Sequence, residues 1–193
     1  TVYCLQLEAD WWRISNLAVT GATQNGPQAW AVGINLLDAS NNVLRSVRAF
    51  RNQGPGIAMI GRSSNNLLAD CESFSNYDPL AAIPGDNADG VQITSIDRSQ
   101  TGNVISGCAS HDNSDDGIDL WKAEASVTNQ NSVATRNGWV PGTAVAAGDG
   151  VGFKLGRNSS DARHRILNNR AVDNRAAGFD RNGAAAEPIY VNN

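Results

Sequence analysis

The sequence predicts an all-β fold, a right-handed parallel β-helix of about six coils. Three observations favour this fold: a short glycine-apolar-x-apolar segment recurs six times, a strand-like segment ending in asparagine recurs five times, and helical periodicity is hard to find. The lack of helical segments excludes repeats of the leucine-rich and ankyrin types. Since each repeat would form one coil, we expect equivalent residues to stack about 4.8 Å apart along the axis.

The first recurring element is the glycine-apolar-x-apolar segment. It begins at Gly33, Gly56, Gly90, Gly117, Gly152 and Gly178. The successive separations are 23, 34, 27, 35 and 26 residues, which indicates a period in the mid-twenties with two enlarged coils. The extra residues fall at about 77–88 and 138–149. Because insertions on one edge of a solenoid usually build its binding face, we expect two enlarged loops on the groove side.

The second recurring element is a short strand that ends in asparagine. We expect the terminal side chains to stack as a hydrogen-bonded ladder that consists of Asn52, Asn76, Asn113, Asn137 and Asn174. The same repeat places Cys71 and Cys108 in one inward column, where two free thiols are favoured over a disulfide. The pattern also predicts that His111 packs in a column and that His164 lies on the surface.

Length and composition limit the classes of protein. We expect residues 1–193 to form a single β-helix domain that is cut short at both ends, since no polar caps are recognisable. The chain has 15 Lys and Arg against 19 Asp and Glu, a net charge of −4, and no basic cluster, which argues against a nucleic-acid partner. Apolar runs are too short for the ~18 residues of a membrane span, so no membrane partner is expected. The oligomeric state stays open.

The candidate chemistry lies at position x of the first element. Side chains of a strand alternate between faces, so the apolar residues point inward and x points out to an exposed face. Reading x along the stack gives Asn35, Ala58, Gln92, Asp119, Lys154 and Asp180. The register therefore places Lys154 one strand spacing from two aspartates.

More carboxylates precede the glycines of two adjacent coils. Asp89 should stack on Asp116, and we expect Gly117 to turn the backbone sharply enough for Asp115, Asp116 and Asp119 to converge. Four carboxylates repel one another, so either some bind protons or a cation lies among them. Calcium is favoured, because it prefers oxygen ligands and no His or Cys is nearby. The alternative is a solvated acidic patch.

Four linked motifs resemble the family 9 polysaccharide lyases, which are pectate lyases of parallel β-helix fold. The motifs are Asn87-Ala88-Asp89-Gly90, Asn113-Ser114-Asp115-Asp116-Gly117-Ile118-Asp119-Leu120, Gly152-Phe153-Lys154-Leu155-Gly156, and Asn174-Arg175-Ala176-Ala177-Gly178-Phe179-Asp180. The resemblance extends over about residues 11–183, and its specific motifs lie between 76 and 182. It implies calcium-dependent β-elimination on polygalacturonate or a related acidic polysaccharide.

The resemblance also implies residue roles. Asp89, Asp115, Asp116 and Asp119 would be the Ca²⁺ ligands, and Lys154 would be the Brønsted base that removes the C5 proton. It further implies a secreted, extracellular protein.

Three alternatives remain open. A polygalacturonase-like hydrolase uses paired aspartates on the same fold, although its Gly-His-Gly and Arg-Ile-Lys segments are absent here. The substrate of a lyase could instead be another uronate polymer, such as rhamnogalacturonan. A non-catalytic, calcium-stabilised carbohydrate-binding β-helix would keep the aspartates but would not need Lys154.

Overall fold

Three parallel sheets run along the axis of a right-handed β-helix, and each coil contributes one strand to each sheet, except that the last described coil has no strand in the third sheet. The computed structural model describes residues 2–27, 29–158 and 160–193. Over these residues the secondary structure consists of strands and turns, and no helix has the length and apolar character needed to span a bilayer. The predicted fold class is confirmed.

The strands are numbered along the chain. The first sheet contains β1 (Val2–Leu7), β4 (Ala31–Leu37), β7 (Ile57–Ile60), β10 (Val91–Thr94), β13 (Ile118–Asp119), β16 (Phe153–Lys154) and β19 (Phe179–Asp180). The second contains β2 (Arg13–Ser15), β5 (Val43–Arg45), β8 (Leu67–Ala69), β11 (Val104–Ser106), β14 (Thr128–Gln130), β17 (Arg165–Leu167) and β20 (Ile189–Val191). The third contains β3 (Ala18–Thr20), β6 (Arg48–Phe50), β9 (Glu72–Phe74), β12 (Ala109–His111), β15 (Val133–Thr135) and β18 (Arg170–Val172).

The six predicted glycine segments contribute strands to the first sheet, and the five predicted asparagine segments contribute to the third. The sequence reading missed the second sheet as a repeated element. Its strands are three residues long, too short to give a clear alternation, but three of the seven directly follow an asparagine: Asn42, Asn66 or Asn103. That recurring asparagine is the signal that would have revealed them.

Single left-handed residues form the corners between strands. Between the second and third sheets the corner residues include Ser46, Asp70 and Asn131, with φ near +50°, and between the third and first sheets they include Ser75 and Arg136. Left-handed backbone is unfavourable for side chains other than Gly, Asn and Asp. Side-chain hydrogen bonds beside these corners offset that cost.

The predicted asparagine ladder forms beside the second set of corners. Asn113 Oδ1 accepts hydrogen bonds from both the backbone N–H and the side-chain amide of Asn76, and the Asn113 amide donates to Asn137 Oδ1 at 3.0 Å. Because all of these groups are buried, the ladder satisfies corner amides that water cannot reach.

Two further columns repeat this arrangement at other corners. Before the second sheet, Asn66 Oδ1 accepts from Asn42 N–H at 3.0 Å. Before the third sheet, Cys108 Sγ accepts from Cys71 N–H at 3.4 Å, and both cysteines are free thiols, as predicted.

The prediction that His164 lies on the surface is wrong. His164 is fully buried, because it occupies the position of Asn42 and Asn66 in the second column. Its Nδ1 accepts a hydrogen bond from Val127 N–H at 3.1 Å, so the imidazole replaces an asparagine carbonyl.

The core is a stack of apolar side chains from the inner faces of the sheets. The residues on either side of position x are buried, as the alternation predicts; they include Ile34 with Leu36 and Ile118 with Leu120. His111 stacks on Phe74, with ring centroids 5.0 Å apart, in a half-buried column. This packed interior holds the coils in register and fixes which side chains meet on the outer face.

Candidate functional site

The outer face of the first sheet carries the predicted column in the predicted register. Gln92 pairs with Asp119, Asp119 with Lys154, and Lys154 with Asp180. The stack of coils therefore brings together residues that are far apart in the sequence.

This column is not on an exposed face, which corrects the sequence expectation. Gln92 and Asp119 are only 5 % and 4 % exposed. The segment around Trp30 and the two enlarged loops, through Asp86 and Asp149, line a cleft of about 310 Å³ whose base is formed by the column. The alternation rule sets the direction of a side chain but not what covers it.

The four predicted carboxylates meet at the base of this cleft. Oxygen atoms of Asp89, Asp116 and Asp119 lie within 4.8 Å of one another. A second group with the same spacing consists of Asp115, Asp116 and Asp149. Asp116 belongs to both groups, so it lies at the centre of the cluster.

Each predicted carboxylate is anchored by a backbone amide through its Oδ1 atom. Asp116 N–H donates to Asp89 at 3.1 Å, and Val151 N–H donates to Asp116 at 2.7 Å. Asp115 accepts from the N–H of Asp149 at 2.6 Å, and Asp119 accepts from the N–H of Trp121 at 2.8 Å. Fixing one oxygen of each carboxylate orients the group and leaves Oδ2 for other contacts.

The glycines of these coils permit close approach, not the sharp turn expected from the sequence. Gly117 does not have a positive φ. A Cβ atom placed on it would lie 2.5 Å from the carbonyl oxygen of Gly152 and 2.8 Å from Cβ of Ala134. At this position the neighbouring coil can therefore approach so closely only because a side chain is absent.

Burial and repulsion between neighbouring carboxylates both raise the pKa values of these aspartates. Burial, followed by the charges of the neighbouring carboxylates, raises the pKa of Asp89 and of Asp115 well above the usual range. Burial and the nearby Asp116 raise the pKa of Asp119 to about 7. A cation bound among these aspartates would offset the repulsion and stabilise their ionised form.

Lys154 extends into this cluster. Its Nζ lies 3.0 Å from Asp116 Oδ2 and 2.7 Å from Asp149 Oδ2, and only 11 % of its side chain is exposed. Burial disfavours the ammonium, but the charges of Asp116 and Asp119 outweigh burial and raise the pKa of Lys154 above its usual value. Lys154 is in register with Asp119 and Asp180, but its ion pairs are with Asp116 and Asp149.

Asp149 is the site residue that the sequence reading missed. It lies between Gly148 and Gly150, both with positive φ, on the second enlarged loop. Its backbone N–H donates to Asp115, its side chain accepts from Lys154, and its carbonyl accepts from Arg175 at 2.9 Å. The Gly-Asp-Gly triplet five residues before Lys154 is the sequence signal that would have identified it.

The donor set fits a hard divalent cation. Both carboxylate groups contain aspartates only, which favours Ca²⁺ over metals that prefer nitrogen or sulfur ligands. Gln92 adds a buried amide whose Nε2 donates to Asp89 Oδ2 at 2.9 Å, and its Oε1 has no hydrogen-bond partner among the described residues.

Comparisons with known proteins identify a family and several relatives. A family model described as "Pel9A-like, right handed beta helix region" matches residues 1–193. The chain is 32 % identical over 194 residues to pectate lyase L of Dickeya dadantii (strain 3937), and 35 % identical over 202 residues to pectate lyase L of Paenibacillus polymyxa (strain SC2). These alignments cover 99 % and 98 % of this chain and 42 % of each relative, so the chain spans about two fifths of their length.

Two solved structures are similar over most of the chain. The crystal structure of pectate lyase Pel9A superposes with a TM-score of 0.80 at 31 % identity, over 95 % of this chain and 43 % of that one. A rhamnogalacturonan lyase superposes with a TM-score of 0.74 at 29 % identity, over 86 % of this chain and 45 % of that one.

Proposed function

The chain belongs to the Pel9A-like right-handed β-helix family, in family 9 of the polysaccharide lyases, and from this premise we propose that it takes part in calcium-dependent cleavage of polygalacturonate by β-elimination. The observation that carries the proposal is the contact between Lys154 Nζ and Asp116 Oδ2, at 3.0 Å, inside a cluster of buried aspartates. This contact places a basic group next to a set of candidate oxygen ligands in one cleft.

Asp89, Asp115, Asp116 and Asp119 would hold the metal. Their backbone hydrogen bonds orient them before any metal binds, so little rearrangement is needed. A bound Ca²⁺ would act as a Lewis acid for the uronate carboxylate and stabilise the negative charge that develops there.

Lys154 would be the base. Its Nζ would take the proton from C5, the electron pair of the C5–H bond would form a C4=C5 double bond, and the glycosidic oxygen would leave C4 with the C4–O electron pair and take up a proton from water. Only the neutral amine can accept this proton, and the surrounding carboxylates raise the pKa of Lys154. We therefore expect activity to rise with pH into the alkaline range.

The test is an ultraviolet assay for unsaturated products with polygalacturonate and Ca²⁺ at alkaline pH. We expect a chelator to abolish the signal. Lys154→Ala should lower the rate by about 10²-fold to 10⁴-fold, the range for removal of a general base. Lys122→Ala is the matched control, because Lys122 is the other of the two lysines in the chain and its ammonium lies over the Trp121 ring, 4.0 Å from the centroid.

Each alternative gives a different result. A hydrolase would release reducing ends without absorbance, and a carbohydrate-binding module would give neither signal. If absorbance rises only with rhamnogalacturonan, that polymer and not polygalacturonate is the substrate. The second structural neighbour, a rhamnogalacturonan lyase, is the reason to include it. Retention of full activity by Lys154→Ala would refute the role of the lysine.

We also propose that the protein is secreted. The support is the size of the proposed substrate, because a polymer such as pectin is too large to enter a cell. Immunodetection of the protein in culture supernatant and in washed cells would test this, and confinement to the cells would contradict it.

A further inference from the structure

A second cavity adjoins the acidic cleft. It has a volume of about 280 Å³ and lies between the segment around Trp30 and the first enlarged loop, 77–88. Trp30, Asp86 and Asn87 line both this cavity and the cleft. A polymer held over the aspartates could therefore continue into this cavity, which we call the side pocket.

The side pocket contains a buried carboxylate oxygen without a donor. Asp78 is only 2 % exposed, and its Oδ2 accepts a hydrogen bond from Asn87 Nδ2 at 3.3 Å. Its Oδ1 is buried and has no hydrogen-bond partner among the described residues. Because an unsatisfied buried acceptor is costly, a ligand that supplies a donor here would recover that energy.

The walls of the side pocket are tied together before any ligand binds. The buried Gln24 side chain donates to the carbonyl of Ala29, beside Trp30, and accepts from the N–H of Leu80 on the loop, both at 2.8 Å. The loop itself is closed by Gly85 N–H, which donates to the carbonyl of Asp78 at 3.2 Å. The pocket is therefore preformed, which lowers the entropic cost of binding.

The charges in the side pocket favour an uncharged ligand. Asp78 and Asp86 are its titratable lining groups, and two carboxylates would repel the carboxylate of a uronate. Trp30 supplies a ring against which the C–H face of a sugar can pack. One unpartnered oxygen in a pocket that is also lined by an aromatic residue suits a hydroxyl donor better than Ca²⁺, which takes six to eight oxygen ligands.

We propose that the side pocket binds an uncharged pyranose of the same polysaccharide strand whose uronate lies in the acidic cleft. The proposal rests on the proposed function for the identity of the strand. Two sources share this chemistry, a methyl-esterified galacturonate and a neutral sugar such as rhamnose. The protein would then prefer substrates in which charged and uncharged residues are neighbours.

The test is saturation-transfer NMR with three probes: methyl α-rhamnopyranoside, methyl galacturonoside methyl ester, and the unesterified methyl galacturonoside. The solution contains a chelator, and no probe has a scissile linkage between sugars, so a lack of lyase activity would not affect the outcome. We expect transfer to one or both uncharged probes and little to the charged one. Which uncharged probe responds identifies the source.

Trp30 and Asp86 also line the cleft, whereas Asp78 lines only the side pocket. Asp78→Ala should therefore weaken binding of the uncharged probe if the probe lies in the side pocket, and three further variants test the contacts. Trp30→Ala should weaken binding of the uncharged probe at least about tenfold, which corresponds to about 1.4 kcal/mol. Asp86→Asn should increase binding of the unesterified probe, because it removes a repelling charge. Trp11→Ala is the matched control, since Trp11 is 70 % exposed and does not line the pocket; it should leave binding unchanged.

Three results would overturn the proposal. These are no transfer to either uncharged probe, equal transfer to charged and uncharged probes, and binding that survives Trp30→Ala. Loss of binding in Trp11→Ala instead would assign the signal to non-specific contact with an exposed ring, and would overturn it as well.

Discussion

Lys154 is held by two carboxylates in different surroundings. Asp116 is fully buried and anchored by Val151, whereas 58 % of the Asp149 side chain is exposed, on a loop. The buried partner also belongs to the set of candidate metal ligands, so removing it would disturb several functions. Asp149 belongs to the second carboxylate group as well, but because it is exposed on a loop, its removal disturbs the buried aspartates less than removal of Asp116.

We predict that Asp149→Ala shifts the alkaline rise in activity to lower pH. The hydrogen bond from Lys154 to Asp149 raises the pKa of the lysine, so its removal leaves more neutral amine at a given pH. The measurement is the pH profile of kcat. Asp180→Asn is the matched control, because Asp180 is in register with Lys154 but does not form an ion pair with it. An unchanged profile in Asp149→Ala would contradict the prediction.

His164 makes stability depend on pH. Burial lowers its pKa to about 4 from 6.5, and its Nδ1 must stay unprotonated to accept from Val127. The unfolded chain therefore binds more protons than the folded one between these values, and stability falls as the pH drops from about 6.5 to 4. Over this pH range, His164 lowers the free energy of unfolding by about 3 kcal/mol at most.

The variant His164→Asn restores the ladder residue found at Asn42 and Asn66, and we predict that it removes this dependence. Urea unfolding of both proteins at pH 7 and pH 4.5 gives the measurement. The buried aspartates have raised pKa values, so their effect has the opposite sign, but it is common to both proteins and cancels in the difference. Equal pH dependence in the two proteins would show that the imidazole is not responsible.

At this scale the sequence predicted the positions of the cleft residues that belong to the repeat, and it did not predict the positions of those that do not. Asp119 and Lys154 occupy position x, and Asp89 and Asp116 precede a repeat glycine, so register alone places them. Asp149 belongs to a loop that has no counterpart in the other coils. His164 was misplaced because the second column was not recognised.

At the scale of the element, the repeat glycines determine how closely the coils pack around the site. A methyl group on Gly117 would meet a backbone carbonyl, which cannot move without shifting the strand that carries Lys154. The strand is short and the glycine is adjacent to Asp116, so a distortion would reach the cluster directly.

We predict that Gly117→Ala lowers stability by about 1–3 kcal/mol, the usual cost of overpacking, and also lowers activity. Denaturant midpoints and the ultraviolet assay measure the two effects. Gly26→Ala is the matched control, because nothing lies within 4 Å of its Cβ position and its φ is not positive. If both variants behave like the parent protein, close approach is not the reason for the glycine.

Element prediction succeeded where a residue type had a physical role at a fixed spacing. The glycines and the ladder asparagines identified the first and third sheets, since both roles depend on contacts between coils. The second sheet lacked such a marker in the coils that use Val127 or His164 in place of asparagine. Exposure of the cleft face could not be predicted, because it depends on how the loops fold back over the sheet.

At the scale of the whole molecule, the acidic cluster opposes folding until a cation joins it. Four buried carboxylates repel one another, and among the described residues Lys154 forms an ion pair with one of them, Asp116. Ligands that bind only the folded state stabilise it by mass action.

We predict that Ca²⁺ at a hundredfold excess over its Kd stabilises the protein by about 2.7 kcal/mol, a rise in Tm of roughly 5–10 °C for a chain of this size. Differential scanning calorimetry with Ca²⁺ and with chelator measures this shift. Asp116→Asn should reduce it strongly, whereas Asp97→Asn, at an exposed position outside the cleft, should not. A shift of the same size in Asp116→Asn would place the ion elsewhere.

The alternating ladder spacing has a mechanical consequence. Asn52 and Asn76 are 24 residues apart, whereas Asn76 and Asn113 are 37 apart, and the same alternation follows in the next two steps. A pull along the axis would load the bonds between coils in series, so the solenoid would peel apart one turn at a time. Each released coil would extend by about 3.4 Å per residue. An optical trap would therefore record steps of two alternating sizes, roughly 80 Å for a 24-residue coil and roughly 125 Å for a 37-residue coil.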